Sequence, residues 1–299
     1  MPELPDIVVY VESLRRMIVG ETIDNIQLRS PFLVRTFEPD LMDCKGQSIK
    51  HIDHIAKRIY WQLDNDVCLL FHLMIAGRFH WRKPGTKPRS KNDLLAFEFS
   101  VGCLMLTEAS AKKRASLFVL ESPDDLEQHD RGGLEVIGSS LDDFRDRLLC
   151  ENHTVKRSLS DPRLFSGIGN AYSDEILHAA GISPVTWTTR LDDEQIAHLH
   201  EQTQLVLQKW IEELREESKE KFPEKVTAFR KGMAVHGKFG DPCPVCETQV
   251  QRLVYASNEC NYCPTCQTGG KILADRSLSR LLKSDWPRNV QQWEEHFGG

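Results

Sequence analysis

The first apolar positions that recur at helical spacing are Ile7, Val8, Val11, Leu14 and Ile18, which predict a helix over about Pro5 to Val19. Asp6 suits its first turn and Gly20 its stop. Beyond it the period changes. Short alternating or apolar runs at Ile23 to Leu28, Ile59 to Leu63, Val67 to Ala76, Leu94 to Phe99 and Cys103 to Leu106, set apart by turn-prone residues, predict antiparallel strands. Pro84 to Asn92, rich in Pro, Lys and Ser, reads as a mobile basic loop. Strand character ends near Leu120. From about Asp142 to Glu217 the pattern is helical, with Ile196, Leu199, Val206, Leu207, Trp210 and Leu214 on one side of a long acidic helix. A cysteine-rich unit follows from His236 to about Gly270, then a tail with Leu278, Leu281, Leu282 and Trp286. The simplest division is a β domain, a helical domain and a metal knuckle: an α+β chain.

A length of 299 residues is enough for two or three domains, and 40% hydrophobic with 27% charged residues excludes wholesale disorder. The longest uncharged apolar run, Val67 to Gly77, covers 11 residues, and a helical membrane span needs about 20. The acidic, proline-broken start Met-Pro-Glu-Leu-Pro-Asp is unlike a signal peptide. Nine cysteines without an export signal then suggest a reducing compartment, where paired cysteines hold metal more often than disulfides.

A net charge of −6 argues at first against a nucleic-acid partner. Its location reverses that reading. Leu191 to Glu220 holds nine acidic residues against Lys209, Arg215 and Lys219, which accounts for the whole excess. Arg78 to Lys91 carries six basic residues and no acid, and Lys225 to Lys283 carries nine basic against four acidic. One acidic face and two basic tracts remain compatible with a polyanion.

Cys243-Pro-Val-Cys246 and Cys263-Pro-Thr-Cys266, with 16 residues between them, have zinc spacing. Two tight turns can each present two thiolates to one tetrahedral ion. Gln249 to Ala256 reads as strand, so a hairpin carrying both knuckles is expected. Cys260 is a fifth candidate, standing three residues before Cys263. A closed four-thiolate site has no open position for catalysis, so one structural zinc ion is expected. Cys44, Cys68, Cys103 and Cys150 read as small core residues.

Gly167-Ile168-Gly169-Asn170 opens a helical run, Ala171 to Ala180, that stops at Gly181. Glycines allow close backbone approach, and free amides at a helix start attract anions; a merely capped helix would look the same. Pro2 becomes a terminal secondary amine if Met1 is removed. With a pKa near 8, about a tenth of such an amine is neutral at pH 7, and Glu3 beside it could move protons.

These three motifs come in one order: Met1-Pro2-Glu3-Leu4-Pro5-Asp6, the Gly-Ile-Gly-Asn-Ala-Tyr-Ser-Asp-Glu helix start and the four-cysteine finger. The chain thereby resembles the formamidopyrimidine-DNA glycosylase / endonuclease VIII family of base-excision repair enzymes over about residues 1 to 270. The resemblance implies an N-terminal antiparallel β-sandwich flanked by helices (1–135), a helix–two-turn–helix domain (136–234) and a zinc finger (235–270), with damaged double-stranded DNA in the cleft between. Residues 271–299 are a tail longer than the finger requires. It also implies a bifunctional glycosylase and strand-cleaving lyase. Pro2 would attack the anomeric carbon, expel the base and form an iminium, Glu3 would shuttle protons, and Lys57 would meet a phosphate near the lesion. Lys156, Gly169 and Asn170 match the phosphate-gripping region of the helical domain.

Several positions depart from the family's pattern. His72-Leu73-Met74-Ile75-Ala76-Gly77 puts Ile75 where a gap-filling methionine is expected, with Met74 displaced by one. Glu108 to Arg114 lacks the expected Arg-Phe pair but offers Lys112, Lys113 and Arg114. Ser257-Asn258-Glu259 replaces a finger-tip Gln-Arg pair, leaving Asn258 to meet the DNA, and Asp6, counted with the DNA-facing residues, replaces a glutamate. These departures keep open a catalytically weak or inactive damaged-DNA-binding protein, and the finger alone a zinc-ribbon interaction module. The remaining expectations are a monomer with no organic cofactor and no membrane partner, in the cytoplasm and nucleoid of a bacterium or the nucleus of a eukaryote.

Overall fold

The computed structural model describes residues 1–224, 226–227, 229–255, 258–274, 281–282 and 286–297. The chain forms two compact units, Met1–Arg131 with Lys209–Thr227, and Gly132–Gln208 with Ala228–Gly299. Among the described residues, no helix is long and apolar enough to cross a membrane.

The first unit opens with α1 (Leu4–Ile18), whose core-facing positions Ile7, Tyr10, Leu14 and Ile18 are fully buried. Eight strands follow: β1 (Asn25–Leu28), β2 (Ile49–Ile55), β3 (Arg58–Leu63), β4 (Cys68–His72), β5 (Gly77–Arg82), β6 (Asp93–Phe99), β7 (Gly102–Glu108) and β8 (Ser116–Leu120). They make two antiparallel sheets, ordered β1-β6-β7-β5 and β2-β3-β4-β8. The core joins the two sheets through aromatic rings: Trp61 lies 4.7 Å from Phe71 in its own sheet and 5.0 Å from Phe97 in the other. Arg15 ties α1 to β2, donating to the Ile52 carbonyl at 2.6 Å and pairing with Asp53 at 2.8 Å.

Three strands depart from the sequence expectation. β2 reads Ile-Lys-His-Ile-Asp-His-Ile, whose apolar residues recur every third position because this edge strand is half-exposed. β5 has few aliphatic residues, and the predicted run Val67 to Ala76 is divided into β4 and a turn. The basic loop 83–92 is not a loose excursion. Asp93 accepts the N–H groups of Arg89 and Ser90 at 2.8 Å each, and Glu98 accepts that of Gly85 at 2.9 Å.

The second unit holds α2 (Leu141–Leu149), α3 (Val155–Ser160), α4 (Asn170–Ala179) and the first part of α5 (Asp193–Glu217). The buried rings of its Phe144 and Phe165 meet at 4.9 Å, tilted by 40°. Its finger is the hairpin β9 (Gln251–Tyr255) and β10 (Asn258–Tyr262), followed by α6 (Pro264–Thr268). The tail returns to the finger: the Ile272 N–H donates to the Arg288 carbonyl and that of Val290, at the start of α7 (Val290–Phe297), to Gly270. Ser257, the side chain of Asn258, and Leu278 lie outside the described residues.

Candidate functional site

Glu3 is the N-cap of α1, and its backbone N–H donates to the Asp6 carboxylate at 3.0 Å. Both side chains are 2% exposed. Asp6 is therefore a buried helix cap and presents no carboxylate to a DNA backbone. Pro2 is also buried. With Met1 attached its nitrogen is an amide, with no lone pair to offer. The Met1 amine has its pKa lowered by burial first; Arg78 and Lys57 add to this, and Glu3 and Asp6 oppose it. Residues 1–3 thus share one electrostatic neighbourhood with Lys57.

Lys57 sits in the two-residue turn between β2 and β3, where Ile55 pairs with Arg58. Ala56 beside it has φ 51°, a left-handed conformation that costs an L-residue about 1–2 kcal/mol. Burial lowers the Lys57 pKa, against the charge of Glu3. Arg58 pairs with His72 across the sheet, and the His72 pKa is pushed down to about 4, by burial first and then by Arg58, Lys57 and Arg131. At neutral pH this leaves a neutral imidazole among three cations, a setting that suits a phosphate oxygen. Nothing in the sequence signalled His72 and Arg131 here, because strand register brings His72 to Arg58, the neighbour of Lys57, and Arg131 arrives from a distant part of the chain.

The turn after β4 is built tightly. Met74 has φ 53°, and a Cβ on Gly77 would lie 2.3 Å from the Leu73 carbonyl oxygen, so only glycine fits there. Met74 is half-buried while Ile75 is 57% exposed, leaving Ile75 as the projecting apolar side chain. Arg78 clamps the turn by donating to the carbonyls of Ile75 at 3.1 Å and Gly77 at 2.6 Å, and it also donates to Val226. The neighbouring loop is anchored by Glu108, 1% exposed, which accepts the N–H groups of Arg114 at 2.9 Å and Ala115 at 3.1 Å. Lys112 and Arg114 extend into solvent, whereas the Lys113 ammonium turns back to the Glu108 carbonyl.

In the second unit the glycine-asparagine motif is locked. Gly169 is buried as the N-cap of α4, and the Asn170 amide donates to the Glu259 carbonyl of the hairpin at 2.7 Å. The Lys156 ammonium lies 2.6 Å from both the Asn170 carbonyl and the Asp174 carboxylate. Asp174 also accepts from His236 at 2.7 Å, and Glu175 accepts the backbone N–H groups of Ala234, Val235 and His236 at 2.7–2.9 Å. The acidic pair of the motif therefore holds the chain that enters the finger, a role invisible at a separation of about 60 residues.

The four predicted thiols meet. Cys246 Sγ lies 3.3 Å from that of Cys263 and 3.5 Å from that of Cys266, and Cys243 and Cys266 are 3.9 Å apart. Thiolates bound to one ion at about 2.3 Å in tetrahedral geometry stand about 3.8 Å apart, so the donor set fits a metal. Cys260 packs instead with Leu253 and Tyr262 in the hairpin core. His178, which sequence reasoning passed over, brings Nε2 to 3.3 Å from Cys243 Sγ, and the set His178, Cys243, Cys263 and Cys266 also lies within 4.8 Å throughout. Burial lowers the His178 pKa, with Glu175 opposing, so its neutral ring can donate to the sulfur.

The family profiles described as formamidopyrimidine-DNA glycosylase N-terminal domain and H2TH domain match residues 1–114 and 138–221. The chain belongs to the formamidopyrimidine-DNA glycosylase family. An uncharacterized formamidopyrimidine-DNA glycosylase-like protein of Mycobacterium tuberculosis is 41% identical over 151 residues, 50% of this chain and 94% of that protein. The formamidopyrimidine-DNA glycosylase of Lactobacillus helveticus is 27% identical over 274 residues, 89% of this chain and 99% of its own. Solved complexes of the Lactococcus lactis Fpg protein are similar in fold. One, a mutant with DNA containing Fapy-dG, has a TM-score of 0.80 at 28% identity over 89% of this chain and 100% of its own. Another, with DNA containing an abasic site, has a TM-score of 0.79 at 27% identity over 89% and 99%.

Proposed function

We propose that this DNA-repair glycosylase of the formamidopyrimidine-DNA glycosylase family removes oxidised bases and also cleaves the strand, through a covalent iminium at Pro2. Removal of Met1 exposes a secondary amine in surroundings that depress an amine's pKa, which raises its neutral, nucleophilic fraction. Pro2 attacks the anomeric carbon of the deoxyribose as the base departs. Glu3 moves a proton at the ring oxygen. The resulting iminium keeps its positive charge and serves as the electron sink for cleavage of the sugar's phosphate bonds. Lys57 meets a phosphate near the lesion, while Lys156 and the Gly169–Asn170 helix start meet others. Ile75 fills the space left by the extruded base. Cys243, Cys246, Cys263 and Cys266 would hold one zinc ion, which when bound cross-links the finger.

The observation that carries this reading is the placement of Pro2 immediately before Glu3, the buried N-cap of α1, within the segment that matches the glycosylase N-terminal domain. The test is borohydride trapping on duplexes containing an abasic site, Fapy-dG or an oxidised pyrimidine. A covalent protein–DNA adduct is expected from chains that mass spectrometry shows to begin at Pro2. Glu3→Gln should slow base release by about 10²–10⁴-fold. Binding without any adduct from such chains would leave the non-catalytic reading in its place.

A further inference from the structure

The basic tract from Arg78 to Lys91 divides into held and unheld cations. Arg78 is fixed to main-chain carbonyls, and Arg82 pairs with Glu224. Lys83, Lys87, Arg89 and Lys91 are exposed, and none forms a salt bridge among the described residues. The nearest acids in the segment do not neutralise them: the carboxylates of Asp93 and Glu98 accept backbone N–H groups of Arg89, Ser90 and Gly85. Asp93 and Glu98 therefore shape the loop and leave its four charges to solvent.

Strand register decides where those charges lie. β5 pairs with β7 from Gly77–Glu108 to Arg82–Cys103, and β6 pairs with the other edge of β7 from Asp93–Thr107 to Phe99–Gly102. β5 and β6 thus run in the same direction, and residues 83–92 must travel back along the whole sheet between them. They do so as a strap over its outer face, where Ala96, Cys103 and Met105 are buried. Cys103 Sγ lies 3.4 Å from the Thr86 carbonyl at one end, and the Glu108 N–H donates to the Asn92 carbonyl at 2.8 Å at the other. Lys113 Nζ is 3.5 Å from Asn92 Oδ1 at that second end. Lys91 therefore adjoins the loop carrying Lys112 and Arg114, at the sheet end where Gly77 follows the Ile75 turn. Five strand residues, about 17 Å, separate this end from Lys83.

We infer that the strap from Lys83 to Asn92 is a second phosphate-binding track, which lies along the backbone of duplex DNA beyond the lesion and continues the basic loop 112–114. The inference rests on the function proposed above. A track of about 17 Å covers the axial length of about five base pairs, at about 3.4 Å of helix axis per phosphate of one strand, so a polyanion of regular repeat fits it better than a single anion. Base identity plays no part, because side chains that meet only phosphates carry no sequence information.

The test uses the full chain with Lys83→Gln, Lys87→Gln, Arg89→Gln and Lys91→Gln combined, and each end pair alone. Affinity for undamaged and abasic duplexes is measured across a salt series, and borohydride adduct formation at saturating protein. The slope of log affinity against log salt should fall by about 0.9 for each phosphate that is no longer neutralised. The Arg89/Lys91 pair should weaken binding more than the Lys83/Lys87 pair, and the adduct rate at saturation should not change. An unchanged slope in the fourfold variant overturns the track while leaving the glycosylase reading intact. Absence of both DNA affinity and adduct in the unaltered chain overturns both.

Discussion

The turns of the first unit and the α4–finger region of the second use the same residue types to opposite ends. Around Lys57, two non-glycine residues adopt left-handed backbone, Ala56 and Met74, and burial drives the pKa of Lys57, His72 and the terminal amine away from the charged form. Around α4, Asp174, Glu175 and His236 are buried and Lys156 is half-buried, but each has a close hydrogen-bonding partner at 2.6–2.9 Å. In the first region desolvation and neighbouring cations push basic groups toward neutrality, which suits chemistry. In the second, carboxylates meet the basic groups directly, which fixes them in place. Burial alone does not separate a reactive site from a structural one; the charge that surrounds each buried group does.

The contrast between these regions breaks most visibly at the metal. Cys246→Ser, or removal of bound zinc with a strong chelator, should abolish most of an apparent binding free energy of about 10–16 kcal/mol. A calorimetric scan should show the second unit melting far below the first, and a melting profile indifferent to chelator would exclude a structural ion. Next in size is Asp174→Ala. It removes the carboxylate partner of half-buried Lys156 and buried His236 at a cost of about 3–5 kcal/mol, read by urea unfolding, with Asp174→Asn recovering part through a retained hydrogen bond.

Effects in the first unit are smaller. The folded-state pKa of His72 lies near 4 against 6.5 in the reference state, so an unfolded chain takes up this proton first as pH falls. Its contribution is present above pH 6.5 and declines as pH drops toward 4, by up to about 1 kcal/mol per pH unit after allowance for solvent screening. Stability measured between about pH 7 and 5 should fall less steeply in His72→Gln. The least effect is expected from Ala56→Gly. Relief of the left-handed turn should raise stability by about 1 kcal/mol, seen as a higher Tm, while a looser Lys57 slows adduct formation. An unaltered Tm would mean that the turn stores no strain.

Much of this was legible in the chain. The two Cys-x-x-Cys knuckles, the Gly-Ile-Gly-Asn helix start and the first helix depend on residues within a few positions of one another, so their spacing carries their meaning. Asp6 misleads because its type matches a surface group, whereas its packing makes it a cap. β2 escapes because its apolar residues fall at every third position, and β5 because Gly-Arg-Phe-His-Trp-Arg alternates without an aliphatic residue. His72 beside Arg58, Glu175 beneath Val235 and His178 beside Cys243 have no local signal at all, since each partner arrives by register or by chain return.

The amino-acid order by itself determined most helices and most strands, that four thiols converge, and that Pro2 directly follows Met1. Tertiary structure alone decided that Pro2 is buried behind Met1, that burial lowers the pKa of Lys57 and His72, and that Lys83, Lys87, Arg89 and Lys91 form no salt bridge among the described residues. The reason is physical. Element formation and metal chelation are governed by neighbours along the chain, whereas protonation and charge pairing are governed by whichever distant groups exclude water from a side chain or offer it a partner.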